Sequence, residues 1–221
     1  MAAGASHRMA GVDKVFVPLA GAPLITYSLR AFQEATAIQS VALVLAEAQV
    51  QRGEQIVADA GLTKVSAITA GGARRQDSVA IGLKSLDRCD IVLVHDGARP
   101  LVDLDIISRG LDAVTQTGAA SAAVPVTDTI KTAGADMVVS GTLDRSSLWS
   151  AQTPQVFRAA LLAEAHRGVA DDVTDDAAMV EALGGKVKLF LGSYENIKVT
   201  TPEDVSLVKA ILEARRRARA P

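Results

Sequence analysis

The chain has 221 residues, 49% of them apolar, and its 23 lysines and arginines nearly cancel 25 aspartates and glutamates to leave a formal charge of -2. That length suits one α/β domain able to bury a core without disulfides or a structural metal, and the balance argues against disorder and against generic nucleic-acid binding by a basic surface. Cys89 is the only cysteine and the histidines stand apart at 7, 95 and 166, which excludes an internal disulfide framework and a thiolate zinc site.

In chain order, the opening MAAGASHRMAG is a run of small residues without the apolar stretch of an export signal, so a cytoplasmic protein is expected. Ile25, Leu29 and Phe32 fall at i, i+4 and i+7 and predict a covering helix. Ser40 to Ala46, Lys64 to Ala70, Asp90 to His95, Ala119 to Val126 and Lys186 to Gly192 are near-continuous Val, Leu, Ile and Ala, the mark of strands covered on both faces. None approaches the about 18 to 20 apolar residues that cross a bilayer, so no membrane span is predicted.

The segment from 126 to 149 reads as strand, Ala-Gly-Ala-Asp turn, strand, and is too polar for a core. It is either a solvated excursion or an arm that packs on a second subunit, since an isolated two-stranded ribbon is marginal in water. The last helix begins with Thr201 as cap, Pro202 at the first helical position, and Glu203 and Asp204 at the positive dipole end; it carries Val205, Val208 and Leu212 on one face. RRRAR at 215 to 219 reads as cations at its negative end. The whole is one domain, 1–221: an α/β, Rossmann-like, mostly parallel sheet with helices on both faces, and ligands are expected at the carboxyl ends of its strands.

Chemistry is therefore sought there. The small residues around Gly4, with Arg8 and Lys14 close behind, suit a polyphosphate held by backbone amides and fixed cations, though they match neither the dinucleotide fingerprint nor a Walker loop. Gly71 to Ser78 follows a strand and opens a helix, offering two glycines, two arginines and a hydroxyl, or simply a helix cap. Asp96 and Arg99 in H-D-G-A-R-P stand just past another strand, where Asp96 could hold a hydroxyl or magnesium, or the two could merely close a turn. Lys198 lies in N-I-K-V-T, read as a short strand, and is either functional or simply exposed.

In order along the chain, A-A-G-x-S-x-R-M at 2–9, D-K at 13–14, G-G-x-x-R-x-D-S-V at 71–79, V-H-D-x-A-R-P at 94–100, D-T-I-K at 128–131, D-R at 144–145, Q-T-P-Q at 152–155, T-D-D at 174–176 and N-I-K-V-T-x-P-E-D at 196–204 closely resemble the 2-C-methyl-D-erythritol 4-phosphate cytidylyltransferase family of the non-mevalonate isoprenoid pathway. The resemblance implies a fold of the nucleotide-diphospho-sugar transferase type and transfer of CMP from CTP to methylerythritol 4-phosphate, with Mg²⁺ bound and pyrophosphate released. It implies that Gly4 and its neighbours wrap the triphosphate while Arg8 and Lys14 stabilise charge on the α-phosphate. Cytosine would be read by Ala2, Ala3, Gly71 and Ser78, with Gly72 and Ala73 near the ribose and Asp96 and Gly97 also on the nucleotide.

It further implies that 126–148 is an arm exchanged across a homodimer, carrying Thr129 and Arg145 into the partner's site. Arg145 and Lys198 would grip the methylerythritol phosphate, with Asp96, Arg99 and Thr153 at its hydroxyls or closing that end of the pocket. Members of the family carry an apolar strand directly before A-A-G, so a start upstream of Met1 and open strand edges at this place are expected. The alternatives are a nucleotidyltransferase with another acceptor, such as ribitol 5-phosphate, or a purine donor; a nucleotide-binding protein without turnover; and, through RRRAR, a nucleic-acid partner, which the charge balance disfavours.

Overall fold

The computed structural model describes residues 1–4, 13–169 and 171–219, with Arg219 described for its backbone only. A short antiparallel pair, β1 (Pro18–Leu19) and β2 (Ala22–Pro23), turns through Ala20 and Gly21 into α1 (Leu24–Glu34). The apolar stripe of α1 is buried as its spacing predicts, with Ile25, Leu29 and Phe32 all inside. β3 (Val41–Leu45) and β4 (Val65–Ala70) pair in parallel, with α2 (Val50–Asp59) between them in sequence. Then follow α3 (Arg75–Lys84), β5 (Ile91–Val94), α4 (Leu104–Thr117) and β6 (Ala119–Pro125). Asp103 caps α4 by accepting from the Ile106 amide at 2.8 Å, and Gly118 ends it at φ 80°, where a side chain would be strained.

The predicted hairpin forms, with β7 (Lys131–Ala133) antiparallel to β8 (Val139–Thr142). Beyond it come β9 (Trp149–Arg158), α5 (Ala159–Gly168), α6 (Asp176–Ala182), β10 (Lys188–Leu191) and α7 (Pro202–Arg219). The main sheet has the order β10-β6-β9-β5. β10 and β6 are parallel, whereas β9 runs antiparallel to both β6 and β5. The sheet is thus mixed rather than simply parallel, because β9 enters its middle against its neighbours. The sequence hid β9 because Gln152, Thr153 and Gln155 interrupt its apolar run; all three are buried on hydrogen bonds, Gln155 donating to Ser121 and Asp175 and Gln152 to the Ser193 carbonyl.

Alternate residues of this sheet serve opposite faces. Ala120, Ala122 and Val156 pack with Ile106, Ile107 and Val114 of α4, while Val92, Val94 and Phe157 pack with Leu162 of α5 and Met179 of α6. Helices cover both sides, as the near-continuous apolar strands predicted. No described helix is long and apolar enough to cross a membrane.

The parallel pair β3–β4 does not join the main sheet by a strand ladder among the described residues. Among the described residues, Met1 and Ala2 make the backbone link between the two: the Ala2 amide donates to Val44 O at 2.7 Å, Ala2 bridges Leu45 in the parallel sense, and the Gly97 amide donates to Met1 O at 2.8 Å. Below this bridge lies a cavity of about 910 Å³, walled by Val41 to Leu43 on one side and Ile91 to Val94 on the other, with Phe32, Val79 and Leu162 also lining it. The Met1 ammonium is buried at its upper end, donating to His95 O at 2.6 Å. Burial pulls its pKa down to about 6, with Asp96 opposing the shift.

Candidate active site

The site is assembled where three chain segments meet beyond the strand ends. The first is the turn after β4. The Gly71 amide donates to Leu45 O at 2.8 Å, and a Cβ there would stand 2.5 Å from the Ala3 Cβ and 2.6 Å from Ser78 Oγ, so only glycine allows this closeness. Ser78 Oγ accepts from the Gly72 amide at 3.0 Å and donates to Arg74 O at 3.1 Å, while the Asp77 carboxylate accepts from the Arg74 amide at 3.1 Å. The helix cap, one of the two alternatives the sequence left open, forms here, and the turn carrying it faces the cleft.

The second segment is the end of β5. The Asp96 amide donates to Thr153 Oγ1 at 3.0 Å, and that hydroxyl lies 3.2 Å from His95 Nδ1; His95 Nε2 is 3.1 Å from Arg99 O. A carbonyl can only accept, so Nε2 carries the ring proton and Nδ1 accepts from Thr153. Burial lowers the His95 pKa to about 3, which keeps the ring neutral and this relay intact. The Asp96 carboxylate then faces three cations: Lys198 Nζ at 2.8 Å, Arg99 Nε at 3.8 Å and Arg75 Nη2 at 3.9 Å. Burial pushes the Asp96 carboxyl up, but Lys198 and then Arg75 outweigh it and hold it well below the carboxylate range.

Residues 196 to 200 form the third segment. They are a pinned loop and not the short strand expected, because side chains and single backbone groups rather than a strand ladder take up their polar groups. Asn196 is fully buried, donating to Thr153 O at 2.8 Å and to Gln152 Oε1 at 3.2 Å, and its carbonyl accepts from Arg99 Nη1 at 2.7 Å. The Val199 amide donates to Ala98 O at 2.8 Å. Asp204 accepts from the Thr200 and Thr201 amides at 2.7 and 2.9 Å, the helix start that Thr201-Pro202-Glu203-Asp204 predicted. Arg215, in the arginine-rich run, does more than meet the dipole: it pairs with Glu195 at 2.6 Å and so ties α7 to this loop.

Together these segments line a cleft of about 280 Å³ that includes Ala2, Ala3, Gly4, Lys14, Gly72, Ala73, Ser78, Asp96 and Lys198, all expected from the sequence, along with Arg74 and Arg75, the two arginines that the turn after β4 offered without an assigned role. Lys14 arrives on a 3-10 turn whose start Asp13 caps, accepting from the Val15 amide at 3.3 Å. Gly71 and Gly97 stand behind the lining, each bonded to backbone beside it. Arg99 and Thr153 do not line the cleft but hold Asp96 and the Lys198 loop from behind. Thr129 and Arg145 lie on the exposed arm, away from their own chain's cleft, with Arg145 Nη1 donating to Thr127 O at 2.8 Å. Arg8 lies outside the described residues.

For a magnesium ion the donor set is sparse: no group of three or more His, Cys, Asp or Glu is clustered among the described residues, and Asp96 is the carboxylate lining the cleft. That fits a Mg²⁺ carried on substrate phosphates with one protein carboxylate at hand, the usual arrangement for this cation.

An amide-rich turn, fixed cations and one ionised carboxylate at the strand ends of a mixed α/β sheet suit an enzyme that handles phosphate groups. The family IspD, 2-C-methyl-D-erythritol 4-phosphate cytidylyltransferase, matches residues 1–214. A protein of that name from Dehalococcoides mccartyi is 46% identical over 213 residues, covering 96% of this chain and 94% of its own. Another from Geobacillus kaustophilus is 46% identical over 219 residues, covering 97% and 96%. Among solved structures, 4-diphosphocytidyl-2C-methyl-D-erythritol synthase from Anaerococcus prevotii superposes with a TM-score of 0.82 at 29% identity, covering 96% of this chain and 93% of its own. The cytidylyltransferase from Thermus thermophilus does so with 0.77 at 34%, covering 90% and 94%. The chain belongs to the 2-C-methyl-D-erythritol 4-phosphate cytidylyltransferase family and is a nucleotidyltransferase.

Proposed function

We propose that this chain transfers CMP from CTP to 2-C-methyl-D-erythritol 4-phosphate in isoprenoid precursor biosynthesis. An oxygen of the acceptor phosphate attacks the α-phosphorus, the bond from that phosphorus to the α,β-bridging oxygen breaks, and pyrophosphate leaves with that oxygen. Family membership supplies the reactants, and the observation that carries the placement is Lys198 on Asp96 at 2.8 Å in a cleft shared with Lys14 and the glycine turn. No protein nucleophile is needed; positioning and fixed charge supply the catalysis.

In this reading Ala2, Ala3, Gly71 and Ser78 read cytosine where Gly71 already packs against Ala3 and Ser78 with no room for a side chain, and Gly72 and Ala73 lie beside the ribose. Gly4, Arg8 and Lys14 take the triphosphate. Asp96 meets the acceptor hydroxyls, buttressed by Arg99 and Thr153, while Lys198 leaves Asp96 in part to hold the acceptor phosphate. Bound Mg²⁺ supplies neutralising charge on the triphosphate, with Asp96 the residue available to it. The expected result is pyrophosphate release from CTP and Mg²⁺ only when methylerythritol 4-phosphate is present; release with ribitol 5-phosphate instead would favour the other acceptor, and CTP binding without release a protein without turnover.

We also propose that the arm from 126 to 148 pairs two chains. Its exposed Met137, Val138, Val139 and Leu143 form apolar surface that a second subunit would cover. Thr129 and Arg145 then enter the partner's cleft. Mixing Arg145→Ala chains with Lys198→Ala chains, each alone nearly inactive, is expected to restore up to about a quarter of the normal activity, since half of a random mixture is mixed dimer with one intact site. No recovery after verified subunit exchange would keep Arg145 in its own chain's affairs.

The cavity between β3 and β5 is proposed to take one more parallel strand, running into Met1 and Ala2. The strand faces that wall it are mainly apolar, its two strand edges are unpaired among the described residues, and its upper end already has the backbone bonds of such a strand.

A further inference from the structure

The T-D-D motif at 174–176 has no part in the chemistry above, yet Asp176 is fully buried and connected to the cleft. It is the first residue of α6, and its amide donates to Gln155 Oε1 in β9 at 3.2 Å. Its Oδ2 accepts from Arg75 Nη1 at 2.6 Å. From there the Arg75 guanidinium reaches across to the cleft, where its other terminal nitrogen stands 3.9 Å from Asp96 Oδ1. Burial works against the Arg75 charge, and Asp176 followed by Asp96 outweighs it. Asp176 Oδ1 has no hydrogen-bond partner, and His166 Nε2 lies 3.8 Å from it.

The two contacts of Arg75 are unequal. One is a short charge-assisted hydrogen bond, the other an ion pair beyond hydrogen-bond length. Neighbouring residues repeat the link between these segments: Arg74 meets Asp172 at 3.3 Å and Gln76 Nε2 donates to Asp171 O at 3.2 Å. Asp176, on a separate element, therefore fixes where the Arg75 guanidinium stands beside Asp96. Without that anchor the guanidinium can shift by about 1 Å, and the Asp96 carboxylate loses its brace on that side.

We propose that Asp176 is a positioning residue for the transfer reaction: by holding Arg75 in place it keeps Asp96 braced and oriented to the acceptor's hydroxyls. The inference rests on the reading that Asp96 faces methylerythritol 4-phosphate. It predicts a fault in acceptor binding specifically. Misplacement of this size costs up to about a hundredfold.

The test compares Asp176→Asn, Arg75→Gln, the double variant and Asp96→Asn, with KM measured separately for CTP and for methylerythritol 4-phosphate and folding followed by thermal melting. Asp176→Asn is expected to raise the acceptor KM about ten- to a hundredfold with the CTP KM little changed. Arg75→Gln raises it likewise, and the double variant is no worse than the worse single, because both act through one contact. An unchanged acceptor KM in folded Asp176→Asn, or effects that simply multiply in the double variant, would overturn the inference. If Asp176→Asn does not fold, Arg75→Gln decides: an unchanged acceptor KM overturns the proposal. Asp96→Asn with a normal acceptor KM would overturn the underlying reading as well, whereas a raised acceptor KM there beside silent Arg75 and Asp176 variants overturns this inference alone.

Discussion

Replacing Lys198 by methionine is expected to lower kcat/KM for methylerythritol 4-phosphate by about two to three orders of magnitude, the usual loss when one preorganised charge donor is removed from a phosphoryl or acyl transfer site. The fold should survive. The Lys198 side chain is 42% exposed, and its loop is pinned by Asn196, Val199 and Arg215 rather than by the ammonium. Asp96 would still face Arg75 and Arg99, so no buried carboxylate is stranded without a cation. Steady-state kinetics with a melting curve on the same sample check this. An unaltered rate would take Lys198 off the reacting phosphates, and a collapsed melting temperature would make it a structural residue.

Stability is expected to fall steeply as the solution is acidified, in two stages with one sign. The buried Met1 ammonium has its pKa lowered from 8.0 to about 6, and His95 from 6.5 to about 3. Between each pair of values the unfolded chain binds a proton that the folded chain does not, so stability is complete at high pH and declines as pH drops through the window. The slope is about 1.4 kcal/mol per pH unit for each such proton. Asp96, whose carboxyl is depressed in the folded protein, adds a loss at still lower pH. Urea unfolding at a series of pH values would reveal the profile, and a flat response between pH 8 and 4 would contradict both burials. A chain bearing an apolar strand ahead of Met1 has an amide in place of that ammonium, so it should lose the limb between pH 8 and 6 and keep the lower one. Retention of the upper limb would show that it does not come from the Met1 nitrogen.

Runs such as Val41–Leu45 and Ala119–Pro125 were legible because a strand covered on both faces can be apolar throughout, and the periodicity of α1 was legible because one stripe does all its packing. β9 was not, since Gln152, Thr153 and Gln155 are buried on hydrogen bonds to a neighbouring strand, to loops and to the start of α6, an arrangement that leaves no period in the sequence. The site divides in the same way. Asp96 and the glycine turn stand at strand ends, where α/β sheets take ligands, and could be found by position alone. The contact between Arg75 and Asp176 joins residues 101 apart in the chain, and nothing local to either announces the other. Asn196 likewise showed only as a motif letter, while its role depends on the carbonyl of Thr153 packed against it.

Catalysed CMP transfer is tested most directly by identifying the product. The purified chain, given CTP, Mg²⁺ and equal amounts of methylerythritol 4-phosphate and ribitol 5-phosphate, should yield pyrophosphate and a single new compound. Its phosphorus spectrum should show two coupled signals of a diphosphate bridge between cytidine and methylerythritol. A cytidine diphosphate bridge to ribitol, or free CMP in place of any bridged product, would contradict the account.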